Sequence, residues 1–202
     1  WHVRLMIPDF TSWKPNSLTL DNCRLGLPEG FELEVEEDLL LSNNAALHVF
    51  AAPRDDPLTE DGSMVTVGGD LKMTGNSWIY PYAQPTNGAT VGFYIDGDLD
   101  IAATCGFNAD DLGFDAQHGP GQEQPFFADF GPGLAVTVHC GAGHGGRGGP
   151  GEGGSGGTTY GTAHAPRWPG SGSHGSSGGS SGGAIRIVVA GHARVDGTLT
   201  AR

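Results

Sequence analysis

A repeat in the first half of the chain leaves few folds open to this sequence. Three segments superpose: "FELEVEEDLLLSNNAALHV" from Phe31, "SMVTVGGDLKMTGNSWIYP" from Ser63 and "VGFYIDGDLDIAATCGFNA" from Val91. In each segment, alternate residues are mostly apolar and lead to an aspartate, which is followed by a leucine and then, two positions later, by another apolar residue. A fourth segment, "AIRIVVAGHARVDGTLTA" from Ala184, repeats the pattern with His192 in place of the aspartate.

This repeat predicts β-structure. Apolar residues at every second position are typical of a strand with one buried face. Each segment predicts two short strands broken at the "EED", "GGD" or "DGD" corner, where Gly and Asp accept the backbone angles of a turn. No apolar stripe with the helical period is present. Equivalent positions recur with a period of roughly 30 residues, which predicts an all-β fold, a parallel β-helix or β-solenoid.

A β-sandwich and a β-barrel are the alternatives to the solenoid. Both favour hairpins between neighbouring strands at a spacing of roughly 8 to 12 residues, without self-similarity over the longer period. The spacing of the repeat therefore favours the solenoid.

A glycine-rich stretch interrupts the repeat: 19 of the 43 residues between positions 141 and 183 are glycine. Such a composition is typical of a flexible linker, but the repeat resumes directly after it, which favours an ordered lobe. The stretch lacks lysine and the GxxxxGK[ST] pattern, which argues against a phosphate cradle. We expect a cap or assembly strand over residues 1–30, solenoid coils over 31–140, an ordered glycine-rich insertion over 141–183 and a final coil over 184–202.

These repeats, the "GAGHGGRGG" run and the segment "GGSSGGAIRIVVAGHARVDGTLTA" together resemble secreted, glycine-rich, right-handed parallel β-helix surface proteins, in the style of adhesins. The resemblance covers residues from about 31 to 202. It implies a right-handed winding and a place at the cell surface, and it implies no catalytic residue.

Charge narrows the choice of partners. Ten Lys and Arg against 23 Asp and Glu give a formal charge of −13. This charge repels phosphate backbones and argues against nucleic acid as a partner, whereas calcium is a plausible companion of so many carboxylates. No run of 18 apolar residues occurs, so no membrane span is predicted. The presence of only two lysines, with many Ser, Thr, Asn and Gly, favours an extracellular location.

The recurrent aspartates are the first candidate metal site. Asp38, Asp70 and Asp98 occupy the same corner of successive coils and can form a column of like charges, which needs a cation or backbone N–H groups for neutralisation. Calcium binding and turn capping are the two readings. Asp110 and Asp111 in a later loop, and the loop that holds Asp56, Glu60 and Asp61, are further calcium candidates, although no EF-hand order is present.

Histidines late in the chain are the second candidate metal site. His139 and His144 head this group, which can bind zinc or copper. With Tyr160 and Arg167 the same histidines can also take a proton from a uronic acid, as polysaccharide lyases built on β-helices do. Their spacing matches no metal motif, and exposure to solvent is the structural alternative.

Aromatic residues and cysteines complete the candidates. Alternation places Trp78, Tyr80 and Tyr82 on one face, where they can stack on a sugar, although Trp78 aligns with core-type positions in the other segments. Of the three cysteines, Cys105 and Cys140 are the expected disulfide, with buried free thiols as the alternative.

Two classes of function follow. Neither end of the repeat shows a polar cap, which favours end-to-end self-association, because a contact that does not close makes a fibre. We therefore expect an extracellular structural protein, a surface stalk or filament subunit. The alternative is a module that binds or cleaves polysaccharide.

Overall fold

The computed structural model describes residues 10–56, 61–116, 118–119, 143–144, 149, 157, 159–160, 167–172 and 179–202. All regular structure in these residues is β-strand. None of them forms a helix long and apolar enough to cross a membrane. The predicted all-β class is confirmed.

The described residues form fifteen strands in five successive groups of three, which we call coils 1 to 5. Coils 1 and 2 consist of β1 (Ser12–Trp13), β2 (Leu18–Asp21), β3 (Arg24–Leu27), β4 (Glu32–Val35), β5 (Leu39–Ser42) and β6 (Ala46–Phe50). Coils 3 and 4 consist of β7 (Ser63–Val67), β8 (Leu71–Met73), β9 (Trp78–Tyr82), β10 (Val91–Ile95), β11 (Leu99–Ile101) and β12 (Gly106–Asn108). Coil 5 consists of β13 (Arg186–Val189), β14 (Ala193–Val195) and β15 (Thr198–Thr200).

Each coil gives one strand to each of three parallel sheets. Sheet A has the order β1-β4-β7-β10-β13, sheet B the order β2-β5-β8-β11-β14, and sheet C the order β3-β6-β9-β12-β15. This is the architecture of a parallel β-solenoid, in which each coil pairs with the coils before and after it. The structure adds one strand per coil to the two that the repeat predicted, namely the strand of sheet C.

The register confirms the alignment of the four sequence segments. Val35 pairs with Val67, Val67 with Ile95, and Ile95 with Val189. The last pair joins β10 directly to β13 across the whole glycine-rich stretch, so coils 4 and 5 are neighbours.

The stack begins before the predicted boundary at residue 31. Strands β1 to β3 pair with β4 to β6, so residues 12–27 form coil 1, where a cap or assembly strand was expected. Residues 1–9 lie outside the described residues.

The sequence repeat does not include coil 1, because the step along the chain from coil 1 to coil 2 is shorter than the steps between the coils that follow. In sheet A, Ser12 pairs with Glu32, Glu32 with Met64, and Met64 with Gly92. The first of these steps along the chain is clearly shorter than the next two, which define the period of the repeat. A search for that period therefore aligns coils 2 to 4 and passes over coil 1.

The variation in coil length is confined to one corner. The segments that lead from sheet C of one coil to sheet A of the next are 28–31, 51–62, 83–90 and 109–185, whereas the other two corners stay short in every coil. The last of these segments holds the predicted glycine-rich insertion at 141–183 and the end of the predicted coil range at 140, most of which lie outside the described residues. All long loops therefore emerge along one edge of the solenoid.

The second corner, between sheets B and C, contains asparagine in coils 1 to 3 and Thr104 in coil 4. Asn43, Asn44 and Asn76 have φ values of 54°, 64° and 61°, a left-handed region that asparagine tolerates better than most residues. The Asn76 amide also donates a hydrogen bond of 2.9 Å to the Asn44 side chain one coil away. Asparagine therefore both turns the chain and links successive coils.

The core fills the space between the three sheets. Inward residues stack in columns along the axis, and most are fully buried, as in the column of Leu39, Leu71 and Leu99. Phe93 and Phe107 meet edge to face with ring centroids 5.1 Å apart. This burial of apolar side chains is the main term that stabilises the stack.

Candidate functional site

The aspartate column (Asp38, Asp70 and Asp98) lies at the corner between sheets A and B, as predicted. Backbone N–H groups hold it together: Asp70 N–H donates to Asp38 Oδ1, and Asp98 N–H donates to Asp70 Oδ1, each at 2.8 Å. His192 N–H donates to Asp98 Oδ1 at 2.7 Å and closes the column at coil 5. Each carboxylate thus accepts a hydrogen bond from the next coil, and these N–H groups stabilise its negative charge.

These hydrogen bonds explain the acidity of Asp98. The backbone N–H of His192 is the largest cause that lowers the Asp98 pKa, and the His192 side chain adds to it. Calcium binding by the column stays a prediction. In the part of the chain that the structure describes, no three His, Cys, Asp or Glu side chains converge to hold a metal ion.

Replacement of Asp98 by asparagine tests this account. The folded-state pKa lies below the ordinary value, so the carboxylate stabilises the fold above about pH 4, and this contribution is lost as the pH falls through the folded pKa. Asparagine keeps an oxygen that accepts the His192 N–H but cannot titrate. Urea unfolding between pH 7 and pH 2 should therefore show a weaker loss of stability in acid for Asp98→Asn than for the parent chain. Equal acid dependence would contradict the assignment.

Asp110 and Asp111 lie elsewhere, after β12, and bind the end of the chain. Asp110 Oδ1 accepts hydrogen bonds from the Thr200 hydroxyl and from Arg202 N–H, both at 2.7 Å. These donors, Thr200 first, lower the Asp110 pKa. Asp111 N–H donates to the Arg202 carbonyl at 2.8 Å. The structure therefore does not bring Asp110 and Asp111 to the aspartate column.

The histidine candidates are only partly described, because His139 lies outside the described residues. His144 packs against Tyr160 with ring centroids 4.6 Å apart, and burial lowers the His144 pKa. Burial also raises the pKa of Tyr160 to about 12, and its hydroxyl donates to the Pro169 carbonyl at 2.6 Å. A hydroxyl with this pKa is a poor base near neutral pH. Proton abstraction by the histidines stays a prediction.

Trp78, Tyr80 and Tyr82 lie on the outer face of β9, and all three side chains are partly exposed. The predicted alternation is confirmed. Two residues of β6 that sequence reasoning missed join them: His48 stacks on Tyr80 with centroids 4.6 Å apart, and Phe50 stacks on Tyr82 at 4.2 Å. We call these five residues the aromatic strip.

The aromatic strip is held by polar as well as ring contacts. His48 Nδ1 and the Tyr82 hydroxyl share a hydrogen bond of 3.1 Å. Burial lowers the His48 pKa, and nearby Arg24 lowers it further. Burial also raises the Tyr82 pKa. Both shifts favour the uncharged forms of the His48 imidazole and the Tyr82 phenol.

The cysteines are placed differently from one another. Cys105 is buried and its sulfur accepts a hydrogen bond of 3.4 Å from Ser77 N–H, whereas Cys23 is exposed. Cys140 lies outside the described residues, so a bond between Cys105 and Cys140 stays a prediction.

An ion pair on the outer face of sheet A was also missed. The carboxylate of Asp61, whose side chain is 6% exposed, binds Arg186, and it accepts a hydrogen bond from the Tyr94 hydroxyl. Arg186 in turn lies over the Tyr94 ring, 5.4 Å from its centroid. From the sequence, Asp61 was only a calcium candidate, because nothing local signals an arginine 125 residues away. Glu60, its neighbour in that candidate loop, lies outside the described residues.

Coil 5 is the last coil of the described stack, and its outer side, which we call the open end, pairs with no further described strand. Val195 and Leu199 continue the inward columns of the buried residues Ile101 and Phe107, yet they are 42% and 49% exposed. At the other end of the stack, the inward residue Leu20 of coil 1 is only 5% exposed. The inward residues of the first and last described coils therefore differ in exposure.

A cavity of about 570 Å³ lies against the open end. It is lined by the apolar side chains of Ile185, Ile187 and Leu199. His144 and Trp168, from the segment 109–185 between β12 and β13, also line it. The cavity therefore adjoins the exposed apolar surface of the open end through Leu199.

The fold and these surfaces define a parallel β-solenoid with a hydrogen-bonded aspartate column, an outer aromatic strip and one open end. Comparison with protein-family models, with curated proteins and with solved structures found no match.

Proposed function

We propose that this chain is an extracellular structural protein, a right-handed β-solenoid that joins end to end with further copies through coil 5. The observation that carries the proposal is the open end, where Val195 and Leu199 expose the continuation of the core. Large exposed apolar side chains in register with a buried core are the expected mark of an interface.

The edges of the sheets support the same proposal. Among the described strands, β13, β14 and β15 each pair with one neighbour and leave the other edge free. A free strand edge is a template for pairing with another strand. Docked against a second copy, the three edges would gain backbone hydrogen bonds while Val195 and Leu199 are buried.

Charge favours a head-to-tail order. Residues 184–202 contain three arginines against one aspartate, whereas residues 12–50 contain seven Asp and Glu against one lysine and one arginine. The open end of one copy therefore complements the acidic first coils of another, which steers association and suppresses the reverse pairing. A contact of this kind repeats without closing and gives a filament or stalk.

Three finer features belong to this proposal. Right-handed winding is expected because parallel strands in one sheet are connected that way in nearly all proteins. Order in the glycine-rich lobe is supported by backbone hydrogen bonds that tie it to the coil 4 side, such as Gly113 N–H to the Ser181 carbonyl at 2.8 Å and Gly183 N–H to the Ala109 carbonyl at 2.7 Å. The scarcity of lysine supports the extracellular location.

The test is the mass of the protein in solution, with substitutions confined to coil 5. Light scattering of the parent chain should give a mass that rises with concentration above 20.8 kDa and falls with added salt, and electron microscopy should show rods or filaments. The double change Val195→Glu with Leu199→Glu should give monomers, because it places charges on the apolar end.

Val188→Glu is the matched control, because Val188 is 46% exposed on the outer face of the same coil. This variant should assemble like the parent chain. A parent chain that stays at 20.8 kDa at all concentrations, or a double variant that still assembles, would overturn the proposal.

A further inference from the structure

The aromatic strip combines exposed rings with hydrogen-bonding groups on one rigid surface. We propose that this strip on the outer face of sheet C binds a neutral glycan chain, with ring faces stacking on the apolar faces of the sugars and the polar edges binding their hydroxyls. The inference does not depend on end-to-end assembly, because the strip lies on a side of the solenoid and the open end lies at its tip.

Free ring faces are the first requirement, and small neighbours provide them. His48 stacks on Tyr80 with one face, and its neighbour on the other side is Gly26, where nothing lies within 4 Å of the position that a Cβ would take. Trp78 lies between Ala46 and Gly106 in the register of sheet C. Neither of these neighbours has a side chain large enough to cover the indole.

Polar groups between the rings are the second requirement, since a sugar that stacks must also satisfy its hydroxyls. The Tyr80 hydroxyl has no hydrogen-bond partner among the described residues, and the Tyr82 hydroxyl shares its bond with His48. The neutral His48 imidazole has one nitrogen that donates and one that accepts. A purely apolar partner would leave the Tyr80 hydroxyl unpaired, which favours a polyhydroxylated ligand.

Rigidity is the third requirement. His48 and Phe50 are already ordered by face-to-face stacking on Tyr80 and Tyr82, with centroids 4.6 Å and 4.2 Å apart. Binding therefore orders few side chains and costs little conformational entropy. The long loops all emerge at the edge of sheet C next to Phe50 and Tyr82, which is where insertions of repeat proteins commonly form binding faces.

Charge favours a neutral glycan over an acidic one. The chain carries a formal charge of −13, which repels polyanions at long range. Arg24 pairs with Ala46, which pairs with Trp78, so Arg24 is the basic residue nearest to the strip in the register of sheet C. A single guanidinium can pair with only one or two carboxylates, whereas an acidic glycan of this kind carries a carboxylate on every sugar.

Affinity gel electrophoresis with soluble polysaccharides tests the proposal. The neutral probes are glucomannan, xyloglucan and dextran, and the acidic probes are polygalacturonate and alginate. The parent chain should be retarded by at least one neutral probe and by neither acidic one. Trp78→Ala and Tyr80→Ala should each weaken this binding roughly tenfold or more, as expected for central aromatic contacts.

Gly26→Phe tests the free face of His48 by addition of a ring. The new ring has open space and should stack on His48, so the fold should stay intact, as circular dichroism will show, while glycan binding falls. Met64→Ala and Val188→Ala remove exposed apolar side chains of sheet A and should leave binding unchanged. The monomeric Val195→Glu/Leu199→Glu variant should also bind, which separates this test from the assembly test.

Three outcomes would overturn the proposal: no retardation of the parent chain by any neutral probe, retardation by acidic probes alone, or full binding by the Trp78→Ala/Tyr80→Ala double variant. The last outcome would place the glycan elsewhere on the solenoid.

Discussion

Replacement of Asp61 by alanine is expected to lower the free energy of unfolding by about 3 kcal/mol, because loss of one member of a largely buried ion pair leaves the other charge uncompensated. Asp61 is almost fully enclosed, and Arg186 has a side chain that is 25% exposed. The partial exposure of Arg186 lets water recover part of the loss, which places the expected effect at the lower end of the range for buried pairs.

The effect should be concentrated in coil 5. Asp61 lies just before β7 and Arg186 begins β13, with Tyr94 of β10 between them, so this group ties coil 5 to two earlier coils. In a stacked fold each coil depends mainly on its neighbours. Amide hydrogen exchange should therefore speed up in β13 to β15 before it changes in coils 1 to 3.

Lys14→Ala is the control for Asp61→Ala. Lys14 and Glu34 also form an ion pair, 2.6 Å apart, but both side chains are 54% exposed. Exposed pairs contribute about 0–1 kcal/mol, so urea unfolding should distinguish the two variants clearly. Equal losses, or no loss for Asp61→Ala, would contradict a structural role for the Asp61 group.

Phe107→Ala should cost about 3–5 kcal/mol of unfolding free energy, through lost apolar burial and the cavity left behind. Phe107 is fully buried, and its ring meets the Phe93 ring edge to face at 5.1 Å. In sheet C it lies between Ile79 and Leu199. Neighbours held in register by strand pairing cannot easily collapse into the space that the ring leaves.

Phe50→Ala is the matched control, since Phe50 lies in the same sheet but on its outer face and is 37% exposed. Its loss should cost about 1 kcal/mol, mostly the stacking on Tyr82. Urea unfolding followed by circular dichroism measures both variants. A Phe107→Ala chain as stable as Phe50→Ala would show that the core at coil 4 is not well packed.

The aspartate column shows how far a sequence pattern can predict contacts between coils. The aspartates recur at one offset from the buried residues on either side, so the position of each in its coil follows from the alternation alone. The donors on Asp98 and Asp70 are the backbone N–H groups of the equivalent residues one coil later. Any residue with a backbone N–H can donate this hydrogen bond. His192 can therefore take the last position of the column, where an aspartate would otherwise stand.

Coil 1 and the sheet C partners show where prediction stopped. The period of the repeat is the length of one coil plus the loop that leads to the next coil. Only the step between coils 1 and 2, where this loop is shortest, comes close to the length of a coil alone. The strands of sheet C carry alanine, tryptophan and glycine at equivalent outer positions. Such variety obscured the third strand, and with it the stacking of His48 on Tyr80.

Local sequence patterns were enough to predict the class of fold, the register of the four strongest repeats and the corner at which the aspartates lie. Period-two burial and turn-forming residues are local properties, and they act within a short stretch of chain. The tertiary structure alone decided which side chains meet across coils: Arg186 with Asp61, His48 with Tyr80, and the exposure of Leu199 at the open end. These contacts depend on loops of very different length between the coils, and the length of a loop leaves no trace in the pattern of the strands it connects.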